Sequence, residues 1–427
     1  MERWSALALA SLLVAAAVAP ALAAGQPAAD PAPFEGDPVY VGVQGVGSYS
    51  TDGYVGRVAE DAVTWRESSA DTYFDVTPLA NDTVLATFTE NDAENCGPYE
   101  PPCARTGYRI VDPDGPRILT EWSMPVRTHT NSEIHDAEPL PGGGVLVADM
   151  DRERVLIVRN GTVAWSWNAS TRYDAPADPT RTDWLHINDV DRIGEGRFLV
   201  SVRNANQILV LDRENGVVEV INEDPNGGDQ IRGDPSVIHR QHNPQWLGNG
   251  AVLVADSENH RVVELHRGDD GSWTPAWVLT GAGGVAFDWP RDADRLPDGT
   301  TMITDTRNAR VVVVDEQGRL LARHRFGYRT LPYEADIAAG EPVGGPRYGV
   351  QSTATSDGSG DTATPVGPRA DTPRAVPLLT PALRLLSAAV RLPRWVAEGH
   401  LLAALLGVVL GGAAVVVRLW RRRPGDS

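Results

Sequence analysis

Three histidines stand in comparable settings along the chain. His135, His186 and His242 each lie a few residues before a Gly-bearing turn and an apolar strand. An arginine, Arg203, follows one of these strands, Phe198-Leu199-Val200-Ser201-Val202. A neutral imidazole can serve as nucleophile or as acid and base, and a guanidinium is a rigid fork of donors for sulfate, phosphate or carboxylate. Brought together, the four side chains suit an oxyanion and are a poor set for a dinucleotide or nucleic acid. Three histidines could also hold a metal. The acids close to them in sequence are Asp136, Glu138 and Asp189, and the reading is a site without metal or cofactor. Trp184 and Trp246 can stack on an aromatic ligand or pack within the fold. His129, His239, His260, His266, His324 and His400 read as surface or packing residues.

The elements that would position the histidines come from self-similarity. The stretch Leu140-Pro141-Gly142-Gly143-Gly144-Val145-Leu146-Val147-Ala148-Asp149 aligns with segments starting at Ile193, Leu247 and Leu296. Each is followed by a polar turn and a second apolar strand (154–158, 207–211, 261–265, 310–314), then by a third strand such as 217–221 or 320–326. The period is about 50 residues, that of a propeller blade of four short strands. Weaker copies start near Leu79 and Val39, which gives about six blades. No long amphipathic helix is visible, so the expected class is all-β, a six-bladed β-propeller over residues 38–350. The apolar strand that opens each copy is expected to be the innermost, with the loop before it at one mouth of the central channel. His135, His186, His242 and the stretch Trp289-Pro290-Arg291-Asp292 then converge on the axis. Arg203 is expected where the other copies carry Asp149, Asp256 and Asp305.

Composition bounds the setting. The chain has 427 residues, a net charge of -19 and no lysine. A carboxylate-rich surface of this kind keeps a protein soluble in high salt, and the expectation is a halophilic protein. No basic stripe offsets the acid, which disfavours nucleic acid as a partner. Cys96 and Cys103 flank a Pro-rich turn; they staple a loop in an oxidising compartment or remain two free thiols. Residues 1–24 read as a signal peptide or N-terminal anchor. Residues 25–37 form a linker, 351–376 a disordered stalk, and 377–398 a juxtamembrane amphipathic segment. Residues 399–420 are expected to form a transmembrane helix, and the arginine-rich tail 421–427 to lie in the cytoplasm, with the propeller outside.

The combination Asp183-Trp184-Leu185-His186-Ile187-Asn188, then Ser201-Val202-Arg203-Asn204, then Gln241-His242-Asn243-Pro244-Gln245-Trp246 resembles the arylsulfotransferase family. The resemblance spans roughly residues 135–314. It implies an exported six-bladed propeller, independent of a nucleotide sulfate donor, that moves a sulfuryl group from an aryl sulfate donor to a phenolic acceptor through a sulfohistidine. By motif match it implies that His242 is the nucleophile, that His186 and Arg203 hold sulfate oxygens, and that His135 is a further active-site histidine. Asn188, Asn243 and Trp184 are the expected substrate-binding residues. Two other readings stay open: a non-catalytic propeller that binds an extracellular ligand, and an aryl sulfate hydrolase with water as acceptor. A calcium-dependent lactonase-type propeller is disfavoured, because the loops at the channel lack the acid and amide set that calcium needs.

Overall fold

The fold was read from a computed structural model. The structure describes residues 38–348, apart from 46–49, 51, 60–61, 116, 224–232, 249, 328 and 338–343. The expected leader, linker, stalk, juxtamembrane segment, transmembrane helix and tail lie outside the described residues. Among the described residues no helix is long and apolar enough to cross a membrane.

Six four-stranded antiparallel sheets are arranged as the blades of a propeller. Blade 1 is composite. Strands Val39–Gln44, Tyr54–Ala59 and Ala62–Glu67 are joined by Leu331–Ile337, which pairs with Val39–Gln44 and supplies the innermost strand. The ring is thus closed by hydrogen bonds between the two ends of the domain. Blade 2 spans Thr72–Pro78 to Arg117–Val126, blade 3 Ile134–Pro139 to Thr162–Asn168, and blade 4 Ile187–Gly194 to Gly216–Ile221. Blade 5 spans His242–Gly248 to Trp273–Leu279, and blade 6 Pro290–Arg295 to Leu320–Arg325. In blade 2 the turn between Val84–Glu90 and Ala104–Asp112 carries a disulfide, Cys96–Cys103.

The strands are held face to face by apolar clusters, one at each junction between neighbouring blades. Val147, Leu156 and Val158 of blade 3 meet Leu85 and Tyr108 of blade 2, and Leu199, Val210 and Ile221 of blade 4 meet Val252, Val263 and Trp273 of blade 5. At about 1.5–3 kcal/mol for each large apolar side chain taken out of water, these junctions dominate the stability. Tight turns link the first and second strands of the blades. Gly250 (φ 71°) and Gly299 (φ 86°) occupy left-handed conformations that a Cβ would strain.

Two expectations need correction. The apolar strand that opens each sequence repeat is the second strand of its blade, not the innermost. The innermost strands are the polar stretches before it: Ile134–Pro139, Ile187–Gly194, His242–Gly248 and Pro290–Arg295. They escape hydrophobic periodicity because their channel-facing positions are charged. Pairs of carboxylates, Asp136/Glu138, Asp189/Asp191, Asp292/Asp294 and Glu334/Asp336, line a cavity of about 280 Å³ in the channel. Arg203 does not occupy the aspartate position either. Across the second hairpin, Asp149 pairs with Arg154, Asp256 with Arg261 and Asp305 with Arg310, at 2.5, 2.6 and 2.7 Å. In blade 4 the same register places Val202 opposite Gln207. Arg203 is one residue further on, in the place of Ser257 and Thr306.

Candidate active site

Each innermost strand is interrupted near its start by a shift of register against the second strand. The shifts fall between Tyr73 and Val76, Ile134 and Asp136, Ile187 and Asp189, His242 and Gln245, and Pro290 and Asp292. In blade 1 the shift skips Tyr333. A bulge bends the strand and re-aims the side chain it carries. The residues at these positions are Phe74, His135, Asn188, Arg291 and Tyr333, together with His242, which pairs with Ala255 at the edge of the irregularity in blade 5. The sequence repeat therefore delivers six side chains to one level of the channel.

The rings confirm the meeting. His135 lies 4.5 Å from Phe74, 5.1 Å from His186 and 5.4 Å from Tyr333, centroid to centroid. His242 lies 5.8 Å from Tyr333 and 6.3 Å from Trp289. The Arg291 guanidinium sits 3.8 Å from the Trp289 ring centre and 4.5 Å from that of Tyr333. Arg203 is 8 % exposed and its charge is felt by His135, His186 and His242.

His186 is held from its loop. It has φ 56°, a conformation uncommon outside glycine, so its surroundings must impose it. The buried Glu153 does so: its carboxylate accepts the backbone N–H groups of Leu185, His186 and Ile187 at 2.8, 2.7 and 3.0 Å. Arg240 (φ 49°) and Trp289 (φ 60°) repeat the device in blades 5 and 6. Their N–H groups are taken by Asn206 Oδ1 and His260 Nδ1. Arg203 is tied to the same loop through its N–H to the His186 carbonyl, and Asn204 N–H donates to that of Leu185.

The hydrogen bonds set the tautomers. Ser257 Oγ lies 2.6 Å from the Pro290 carbonyl and 3.3 Å from that of Ala255. Both are pure acceptors, so the single hydroxyl proton is directed to a carbonyl. His242 Nδ1, 2.8 Å from the same oxygen, must then be the donor, and the Nε2 lone pair is left free. His186 Nδ1 faces Asp183 Oδ1 at 2.6 Å and donates to it, which again leaves Nε2 as an acceptor. Burial, with Arg291 and Arg203 adding to it, lowers the His242 pKa well below the usual range; burial and then the His186 charge do the same for His135. Burial also lowers His186, to about 4, against the pull of Asp183. The imidazoles are therefore neutral at pH 7 beside two cations. Burial brings the Arg291 guanidinium down to about 10, which leaves it charged.

Several buried polar atoms here have no hydrogen-bond partner. They are both ring nitrogens of His135, Nε of Arg203, Nε of Arg291 and the hydroxyl of Tyr333. Orphaned groups at this density are uncommon in folded proteins. Most are donors, and the complement of a ring of donors is an anion with several oxygens. Among the described residues Arg291 forms no ion pair, and its side chain donates one hydrogen bond, to Gln44 Oε1 at 2.6 Å.

The structure thus unites His135, His186, Arg203 and His242. Asn188 occupies the bulge of blade 4, with Nδ2 bonded to the Gln241 carbonyl and Oδ1 free. Two residues lie elsewhere. Asn243, inside the irregularity of blade 5, donates to Glu334 Oε2 at 2.7 Å, among the channel carboxylates. Trp184 packs on the apolar cluster between blades 3 and 4, and Trp246 on Trp273. Sequence reading missed Tyr333 and Phe74; it placed the stretch from Trp289 to Asp292 at the axis but gave Arg291 no role. The signal was available for Arg291, in the fourth copy at the place of His135 and His242.

Comparison with known proteins agrees at two levels. No curated protein matches the chain. Among solved structures, a protein of unknown function from Bacteroides caccae superposes with a TM-score of 0.50 at 15 % identity, over 70 % of this chain and 98 % of that one. A periplasmic gluconolactonase from Pseudomonas aeruginosa gives a TM-score of 0.42 at 12 % identity, over 71 % and 99 %. The first of these likenesses is one of fold alone. At the level of sequence, the model of the arylsulfotransferase (ASST) family matches residues 111–269, the stretch that carries His135, His186, Arg203 and His242, and supports that family for this chain.

Proposed function

We propose that the protein transfers a sulfuryl group from an aryl sulfate to a phenol, with His242 as the covalent carrier. The observation that carries the reading is the ring of orphaned donors around an imidazole whose Nε2 lone pair is free. In the first half-reaction His242 Nε2 attacks the sulfur. An N–S bond forms, the bond from sulfur to the aryl oxygen breaks, and its electron pair leaves as phenolate. A phenol has a pKa of about 10, so the phenolate is a competent leaving group without metal assistance. Arg203, Arg291 and the Tyr333 hydroxyl face charge on the sulfuryl oxygens in a site without bulk water, where fixed donors act most strongly. In the second half-reaction a phenol oxygen attacks the sulfur, the N–S bond breaks, and the phenol proton passes to His186 Nε2.

The Cys96–Cys103 disulfide favours an oxidising compartment. With the apolar segments 1–24 and 399–420, it supports a membrane-anchored propeller on the extracytoplasmic side.

The test is p-nitrophenyl sulfate with and without a phenol acceptor, using the full chain and His242→Ala. Acceptor-dependent release, together with a sulfated His242 in the native enzyme by mass spectrometry, supports transfer. Acceptor-independent release assigns a hydrolase. No release and no sulfated His242 across a range of aryl sulfates overturns both and leaves a binding propeller.

A further inference from the structure

The channel beyond the histidines carries chemistry of the opposite sign. After each bulge residue comes a channel-facing acid or amide, and in three of the blades a backbone N–H of the neighbouring blade satisfies it. Asp75 Oδ2 accepts the N–H of Ala137 at 3.1 Å, Asp136 Oδ2 that of Val190 at 2.7 Å, and Asp292 Oδ2 that of Ala335 at 3.0 Å. Each bond staples one innermost strand to the same position of the next. Asp189 of blade 4 departs from this, as does Asn243 of blade 5, whose Oδ1 is also without a partner. The residue that would donate to Asp189 is Pro244 of blade 5, which has no N–H. Asp189 Oδ2 is accordingly without a partner, although the residue is 5 % exposed. It lines the cavity of about 280 Å³ with Asp191, Glu138 and Asp294.

We infer that this cavity binds a hydrated divalent cation, held through its water shell by Asp189 and the carboxylates around it. Two observations favour the hydrated ion. The cavity of about 280 Å³ has room for several waters, and so for an ion that keeps its shell. Among the described residues no three His, Cys, Asp or Glu side chains converge closely enough to coordinate a bare ion. A small cation that surrenders its waters reluctantly, such as Mg²⁺, matches such a site. The acids lie on the innermost strands rather than on loops, so a search of the loops for a calcium set does not find them. The inference is independent of the sulfuryl-transfer reading, because none of these carboxylates belongs to the histidine cluster.

Mn²⁺ is the probe. The full chain, freed of metals at pH 8 and at ionic strength fixed with choline chloride, is titrated with Mn²⁺ and followed by electron paramagnetic resonance. We expect one saturable site per chain, displaced by Mg²⁺. Asp189→Asn should weaken it by about tenfold. Pro244→Ala keeps every carboxylate but supplies the missing N–H to Asp189; it should weaken binding too, and it covers the case in which Asp189→Asn misfolds. Absence of saturable binding, displacement by KCl as effective as by MgCl₂ at equal ionic strength, or unchanged affinity in both folded variants overturns the assignment.

Discussion

Ser257 offers the sharpest test of the active-site reading, because it would touch no substrate and acts only through His242. Its hydroxyl is fully buried and bridges His242 Nδ1 and the Pro290 carbonyl. Ser257→Ala removes the acceptor for Nδ1–H in a residue that is 1 % exposed. Leaving a buried donor unpaired costs about 1–3 kcal/mol. The imidazole escapes that cost by moving its proton to Nε2, which occupies the lone pair needed for attack. At 1.36 kcal/mol per factor of ten, the expected loss in kcat/KM is about 5- to 150-fold. The assay is release of p-nitrophenol from its sulfate in the presence of a phenol acceptor. Nitrogen-15 spectra of histidine-labelled protein report the tautomer directly: Nδ1–H for His242 in the wild type, a shift toward Nε2–H in Ser257→Ala. Ser257→Thr retains the hydroxyl and should restore both. A kcat/KM within about twofold of wild type in Ser257→Ala, with the wild-type tautomer retained, would refute the reasoning.

Two further predictions follow from burial. Arg291→Met removes a buried cation that has no carboxylate partner among the described residues. It should raise Tm in the absence of anions while lowering the rate of sulfuryl transfer, and a fall in both would show that the guanidinium is structural. The second concerns pH. Burial holds His186 down to about 4, so the acid limb of kcat/KM should have its midpoint near pH 4 rather than near 6.5. The stability from that shift has the same sign: present above the unfolded value of about 6.5 and lost as pH falls through 4. The channel carboxylates act oppositely. Burial, then their neighbours, hold Asp136, Asp189 and Glu334 well above the usual range, and Asp336 at about 8. Their contribution is present below about pH 4 and is lost as pH rises through neutrality. Over the range the two effects share, the four carboxylates outnumber the one histidine, so thermal unfolding without divalent cations should show Tm falling as pH rises from 4 to 9. Monotonic stabilisation toward high pH would contradict the carboxylate ring.

Much of the fold was legible because the second and third strands of each blade are buried on both faces. Runs such as Leu146-Val147-Ala148 and Val252-Leu253-Val254 are apolar without interruption, and each is preceded by a turn with a fixed glycine. The repeat length then gave the blade count. Blade 1 was faint because its innermost strand, Leu331–Ile337, comes from the other end of the domain, nearly three hundred residues from Val39–Gln44. Only three of its strands are consecutive, so it has no complete copy of the repeat. Blade 2 was faint because the Cys96–Cys103 turn lengthens its middle.

The innermost strands were hidden for the same physical reason that the site exists. A strand that lines a polar channel has polar residues where a core strand has valine, and its bulge breaks the alternation of period two on which strand recognition depends. In Asn188-Asp189-Val190-Asp191 and Arg291-Asp292-Ala293-Asp294 only the third residue faces the blades, and it is apolar in both. One apolar residue in four carries little strand signal. Position within the repeat carries more. Counting back a fixed number of residues from the glycine turn lands on His135, Asn188, His242 and Arg291 alike, whatever their chemistry. That register, rather than the resemblance of one histidine motif to another, identifies Arg291 as a partner of the histidines. Tyr333 follows once the C-terminal strand is recognised as the missing innermost strand of blade 1. Residue type alone could not have supplied it, since a tyrosine in Leu331-Pro332-Tyr333-Glu334 reads as an ordinary packing residue until the strand is seen to face the axis.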